Sequence, residues 1–275
     1  MAEPDQAPPG QERDDEGDEP SPAQKRKTSR LAKRRQGRSL RRSDSRAPKT
    51  VSAERSATGI AKAPASVKPR LRGVFHEIGF YIALTVAVPV IATTEAGTGR
   101  AVATIFAASL VCCFGASALY HRPTWTPTVR SWLARLDHAG VYLLIAGTYT
   151  PVAVLVMSRG WRVPILAVVW GGAIAAILLK LLWVGAPKRL AAAIGLALGW
   201  VVVVAFGQLL KLPLPGLLLL VAGGLLYSLG AIIYARRRPD PIPHILGYHE
   251  VFHALTLGAA ACQYIAVVFF VLPRA

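Results

Sequence analysis

Two histidines separated by three residues open the last apolar segment of the chain, within Gly247-Tyr-His-Glu-Val-Phe-His253. In an α-helix, His249 and His253 lie on one face, about 6 Å apart along the axis. Two imidazoles in this arrangement can bind one metal ion, and Zn²⁺ is the usual occupant. The same letters read H-E-x-x-H, a zinc-peptidase signature whose glutamate, here Glu250, acts as general base. The spacing therefore predicts a metal site where the last helix begins.

The residues that follow limit the peptidase interpretation. No Asp, Glu or His comes after His253, so a third metal ligand must come from upstream, and the ordinary peptidase pattern is not met. Glu250 lies about 100° around the helix from His249, where it can reach a water at the metal or pair with an arginine. A membrane zinc peptidase is kept as a minor alternative.

Composition divides the 275-residue chain into two parts. Residues 1–72 carry 18 Lys and Arg against 10 Asp and Glu and lack apolar periodicity, which predicts a disordered arm. The whole chain is 53% hydrophobic with a net charge of +17, and its mean hydropathy is +0.39. The apolar excess lies in residues 73–275, which are predicted to form a membrane body. The basic arm is interpreted first as a solvated tail that helps to fix the topology. If it has a partner, anionic lipid headgroups are favoured over any specific nucleic acid.

The body contains seven apolar runs that reach the length of about 20 residues needed to span a bilayer. We therefore predict an all-α membrane protein with seven transmembrane helices. The three cysteines all lie within these runs, which argues against a disulfide framework. The predicted spans are Val74–Thr93, Ala101–Tyr120, Leu136–Met157, Val163–Val184, Leu190–Leu210, Pro215–Ala235 and Leu246–Leu272.

Loop charges give the predicted orientation. With the basic arm in the cytoplasm, the three loops on its side carry eight Lys and Arg, against four in the other three loops. The positive-inside rule then places the N-terminus in the cytoplasm and the C-terminus outside a multi-pass cell-membrane protein. The second helix would end at the cytoplasmic face, where the third and seventh helices begin.

This topology brings five polar side chains to one depth in the membrane. Neutral imidazoles of His121, His249 and His253, together with one water, would form a tetrahedral zinc site with an open position. Asp137 would orient a histidine ligand or act as general base on that water. Ser117 would hydrogen-bond the water or a substrate oxygen. The alternative is a structural zinc that joins three helices and catalyses nothing.

The remaining histidines have weaker interpretations. His138 follows Asp137 and points about 100° away around the helix, so it is taken as a packing residue or a hydrogen-bond partner behind the ligands. His76 enters the first helix from the cytoplasmic side and either lines the site or lies at the interface. His244 falls in a proline-rich approach to the seventh helix and is expected to be exposed.

Five stretches of the body together match one known family: Ser117-Ala-Leu-Tyr-His121, Leu136-Asp-His138, Ile145-Ala-Gly-Thr-Tyr-Thr-Pro151, Gly223-Gly-Leu-Leu-Tyr227 and His249-x-x-x-His253. They resemble the hemolysin III family, the bacterial branch of the progestin and adiponectin receptor-like proteins. The resemblance implies seven helices and a zinc ion near the cytoplasmic face, held by His121, His249 and His253, with Ser117 and Asp137 as the other signature positions.

The wider superfamily includes alkaline ceramidases. The resemblance therefore implies a zinc-dependent hydrolase that acts on a lipid amide or ester, with membrane lipids as partners and a lipid as substrate. The alternative function is non-enzymatic: a receptor-like sensor or a pore-forming, cytolytic protein in which the zinc is structural. The body shows no polar stripe along several helices, and this argues against a wide aqueous pore.

Overall fold

The computed structural model describes residues 68–183 and 185–275. This part of the chain is helical and contains no strand beyond an isolated bridge between Ile242 and Leu246. Seven of its helices are long and apolar enough to cross a membrane, which confirms the predicted all-α, seven-helix fold. They are α1 (Val74–Thr93), α2 (Thr98–His121), α3 (Pro127–Leu155), α4 (Arg159–Leu182), α5 (Lys188–Leu209), α6 (Leu214–Arg236) and α7 (Tyr248–Arg274).

The predicted disordered arm, residues 1–72, lies outside the described residues except for its last five. The assignment of the N-terminus to the cytoplasm stays a prediction. The end of the bundle where α2 ends and α3 and α7 begin is called the histidine end.

Helices α2 and α3 form the centre of the bundle. They have the largest buried share among the seven and pack extensively against each other, while α1 packs on α2, α4 on α3, and α6 on α7. The α2–α3 interface is tight because small residues face each other across it. A Cβ at Gly147 would overlap the side chain of Ser109, and one at Gly140 would lie 3.0 Å from Cys113 Cα. This close approach holds the end of α2 beside the beginning of α3.

Helix α3 begins earlier than its apolar run predicts, at Pro127 rather than Leu136. Pro127 occupies the first turn, where its fixed φ suits a helix and its missing N–H would have no intrahelical partner. The added turns carry Arg130 and Arg135, so two cations that were predicted in a loop lie on the helix. Hydrophobicity alone misses such polar turns.

Helix α5 is not continuous, contrary to its uninterrupted apolar run. The α-helix ends at Gly199 and a 3₁₀ segment covers Val201–Ala205, where β-branched valines have low helix propensity. The hydroxyl of Tyr149 on α3 donates to Gly199 O at 2.7 Å and accepts from Val202 N at 2.9 Å. The break in α5 is therefore stabilised by a side chain from another helix, which local sequence cannot show.

Candidate metal centre

Three histidines from two helices meet at the histidine end. His121 is the last residue of α2, and His249 and His253 lie one turn apart at the beginning of α7. All three are buried, with exposed fractions of 7%, 9% and 2%. One ring nitrogen from each lies within 4.8 Å of the others. The predicted cluster is therefore present, and it could hold a metal ion.

The donor set fits a small tetrahedral ion. Zinc–nitrogen bonds of about 2.0–2.1 Å at tetrahedral angles place ligand nitrogens about 3.3 Å apart. The Nε2 atoms of His121 and His249 lie 3.1 Å apart, and His253 completes the set within the 4.8 Å limit.

A fourth histidine lies against this cluster without joining it. The rings of His76 on α1 and His253 are parallel, 5° apart, with centroids separated by 3.8 Å. In-plane lone pairs of parallel stacked rings do not converge, so His76 and His253 cannot both bind one ion in this arrangement. His76 is buried, with 3% of its surface exposed, and lines an internal cavity of the bundle. The first of the two predicted alternatives, a site-lining His76, is the one observed.

Asp137 and Ser117 also lie at the cluster. The Oδ2 atom of Asp137 is 3.6 Å from His121 Nε2, and the carboxylate lines the internal cavity. Ser117 is buried, with its hydroxyl next to the Asp137 carboxylate. The structure thus brings together all five residues that the topology placed at one depth. Their chemical roles stay predictions.

Glu250 takes the second of its two predicted positions, as the partner of an arginine. Its Oε1 atom lies 2.7 Å from Arg72 Nε, although that N–H is not aligned as a hydrogen bond. Its Oε2 atom accepts the backbone N–H of Gly247 at 2.9 Å. Both oxygens are engaged at the beginning of α7, so Glu250 stabilises the helix that carries two of the histidines.

The two other histidines lie outside the cluster. The Nδ1 atom of His138 contacts the carbonyl oxygen of Ala134, one turn earlier on α3, while the ring also lines the cavity. His244 is exposed, as predicted, and its backbone oxygen accepts the N–H of Arg70 at 3.0 Å.

A short segment that sequence reasoning did not single out covers the cluster. Residues 68–73, here called the strap, cross the histidine end before α1 begins. The backbone N–H groups of Arg70 and Leu71 donate to His244 O and Ile245 O, and Arg72 pairs with Glu250. Gly73 has a φ of +82°, and a Cβ there would lie only 2.6 Å from His121 Cβ. A glycine is therefore required at position 73, where the strap packs against His121 at the end of α2.

A long cavity of about 260 Å³ leads from the cluster into the bundle. It lies between α3, α5, α6 and α7, with His249 and His253 at one end. On α3 its lining runs from Asp137 to Val152, about 22 Å at 1.5 Å per residue. Several hydroxyl groups near its wall donate to backbone carbonyls, as Tyr142 does to Ala191 and Tyr149 to Gly199, and the surface of the cavity is mainly apolar.

Comparison with known proteins places this site in a family. The model of the Haemolysin-III related family matches residues 65–264. The chain belongs to the haemolysin III family. It is 33% identical over 208 residues to "Hemolysin-3" of Bacillus cereus, covering 74% of this chain and 91% of that protein. It is also 33% identical over 168 residues to "Hemolysin-3 homolog" of Bacillus subtilis strain 168, covering 61% of this chain and 76% of the relative.

The family match contains the complete histidine cluster. Residues 65–264 include the strap, all seven helix starts and each of the five clustered residues, while almost all of the arm precedes the match. Together with the seven apolar helices, this makes the chain a multi-pass membrane protein of haemolysin III type with three buried histidines that could hold a metal.

Proposed function

We propose that this haemolysin III protein is a zinc-dependent hydrolase of a lipid amide or ester. The observation that carries the proposal is the position of the buried histidines at one end of a long, mainly apolar cavity. A lipid chain that filled the cavity would bring its polar linkage to the histidines. Lipid binding sites commonly combine an apolar wall with few, well-placed polar groups.

Zinc suits the donor set because three imidazoles and an open position are typical of its catalytic sites. The stacked His76 ring does not fill a fourth position. A bound Zn²⁺ would supply Lewis acidity, lowering the pKa of water and polarising a carbonyl. Asp137, beside His121 and facing the cavity, would accept the proton of the attacking water. The buried hydroxyl of Ser117, next to Asp137, would orient the Asp137 carboxylate or the substrate.

Asp137 is a better base than Glu250 on this geometry. Both oxygens of Glu250 are engaged, one with Arg72 and the other with the Gly247 amide. That arrangement also weighs against the zinc-peptidase alternative, which requires Glu250 to act on water at the metal. The catalytic assignment therefore favours Asp137, with Glu250 in a supporting position.

We place the metal centre near the cytoplasmic face. The histidine end of the described chain is rich in basic residues, and such clusters mark the cytoplasmic side of membrane proteins. They include Lys68, Arg70, Arg72, Arg122, Arg130, Arg135, Lys188, Arg189, Arg236, Arg237 and Arg238. Labelling a single cysteine introduced into the α6–α7 connection, in intact cells and in inverted vesicles, tests this placement.

The hydrolase proposal is tested with purified protein in lipid vesicles that contain ceramide or a lipid ester. Zinc-loaded wild-type protein should release fatty acid, and the Asp137→Asn protein should retain zinc without turnover. A protein that binds zinc stoichiometrically and releases no product from a panel of lipid amides and esters would support the structural-zinc alternative instead.

A cytolytic function is the second candidate, because two relatives carry the name hemolysin. On this account the zinc would hold α2 and α7 together, and the protein would permeabilise membranes without cleaving lipid. Release of an entrapped dye from vesicles, measured with and without the three histidines, separates this function from hydrolysis. Dye release that persists when hydrolysis is abolished by Asp137→Asn would establish a separate lytic activity.

A further inference from the structure

Four basic side chains lie near one another where the strap passes the end of α2 and the beginning of α3. Two belong to the strap, one follows the last residue of α2 and one lies in the first turn of α3. Together they are called the basic corner: Lys68, Arg72, Arg122 and Arg130. Their positions in sequence span more than 60 residues, so the fold brings them together.

Only half of this charge is neutralised within the described residues. Arg72 pairs with Glu250 at 2.7 Å, and Arg122 Nε lies 2.6 Å from Glu77 Oε2. Lys68 donates to the backbone oxygen of Arg122 at 3.2 Å, a contact that brings one cation to another. The ammonium of Lys68 and the guanidinium of Arg130 therefore face no carboxylate of the described chain.

The uncompensated charge has an electrostatic consequence at Lys68. Partial burial lowers the pKa of Lys68 from its ordinary value, and the nearby guanidinium groups of Arg130, Arg122 and Arg72 lower it further. An anion bound among these cations would remove that repulsion. The observation identifies the basic corner as a place where an anion is favoured.

The surroundings of the corner indicate a membrane interface. The guanidinium of Arg130 lies 5.3 Å from the ring centre of Tyr120, and the indole N–H of Trp125 donates to Leu119 O. Tyrosine and tryptophan are enriched at the level of lipid headgroups. The anion best matched to this depth is therefore the phosphate of a lipid headgroup.

We propose that the basic corner binds the phosphate of an anionic phospholipid. Lys68 and Arg130 supply the two cations that pair with no carboxylate of residues 68–183 and 185–275, and a phosphate accepts charge-assisted hydrogen bonds from both. Arg72 and Arg122 remain with their carboxylates and add to the local positive potential. This site is separate from the cavity and does not depend on the proposed hydrolysis.

The test places the full chain in phosphatidylcholine nanodiscs that contain an increasing fraction of phosphatidylglycerol. Native mass spectrometry then measures how much phosphatidylglycerol the protein retains at each fraction. Each of Lys68→Gln and Arg130→Gln should lower the apparent affinity about five-fold, and the double variant about thirty-fold. The matched control removes two charges at the same end with Arg236→Gln and Arg238→Gln. Circular dichroism confirms that every variant is folded.

A specific site predicts that the control variant binds phosphatidylglycerol like wild type. Equal losses in both double variants would show a diffuse positive field and overturn the proposal, as would no loss in the Lys68 and Arg130 variant. In a further arm, inorganic phosphate should not displace the retained lipid. Displacement at low phosphate concentration would identify a site for a free anion and overturn the lipid assignment.

Discussion

Substituting Gly73 by alanine should damage both the fold and the metal centre. Gly73 has a φ of +82°, which costs a residue with a side chain about 1–2 kcal/mol. Its new Cβ would lie 2.6 Å from His121 Cβ, and relieving such overpacking costs about 1–3 kcal/mol more. The expected loss of stability is about 2–5 kcal/mol.

Zinc affinity should reveal the displacement around His121 independently of the loss of stability. Relief of the contact moves either the strap or the last turn of α2, which carries His121. Substitutions of residues that hold a metal ligand in position typically lower the affinity for the metal about 10- to 100-fold. We expect a loss of zinc affinity in that range for Gly73→Ala, measured by competition with a chromogenic chelator, alongside thermal denaturation in detergent micelles.

Gly97→Ala is the matched control for this experiment. Gly97 also has a positive φ, +93°, but a Cβ there would meet nothing within 4 Å. It precedes α2 at the end of the bundle opposite to the histidines. We expect this variant to lose stability through backbone strain while keeping wild-type zinc affinity. If both variants bind zinc equally well, the strap does not support His121 and the reasoning is refuted.

Three further substitutions and one treatment test other parts of the structure. Arg72→Met should destabilise the protein by about 3 kcal/mol or less, because it leaves Glu250 buried without its partner, and an unchanged melting temperature would contradict this. Tyr149→Phe should cost about 1–3 kcal/mol and accelerate hydrogen exchange near the break in α5, and unaltered exchange would argue against that bridge. Asp137→Asn should lower lipid hydrolysis about 10²- to 10⁴-fold in steady-state assays without loss of zinc, and full activity would exclude Asp137 as the base. Acidification should release zinc, because protons compete with the metal for the imidazole nitrogens, and elemental analysis measures the zinc that remains bound. Retention of zinc that does not depend on pH would contradict imidazole ligation.

Much of the candidate site was predictable because its residues are ionisable groups in apolar segments. Such groups are costly in a membrane and stand out from their neighbours. The four-residue spacing of His249 and His253 fixes their common helix face, and loop charges place His121 and Asp137 at the same depth. Hydrophobic run length was equally informative for the seven helices, which the structure contains in the predicted order.

The remaining features depend on contacts between distant segments. The stacking of His76 on His253 and the engagement of Glu250 by Arg72 require knowledge of how the strap and α1 lie against α7. The cavity arises from the spacing of four helices, which run lengths do not define. His76 did offer one signal, as a histidine within an apolar segment, but its type alone could not distinguish a ligand from a neighbour.

Zinc content of the purified protein tests the central claim most directly. Elemental analysis should find near-stoichiometric zinc in wild type and its loss in His121→Ala, His249→Ala and His253→Ala. His76→Ala is the control, because His76 is buried against the cluster but cannot join the tetrahedral set, and it should retain zinc. Zinc that is absent from wild type, or that survives all three ligand substitutions, would contradict a metal centre formed by these histidines.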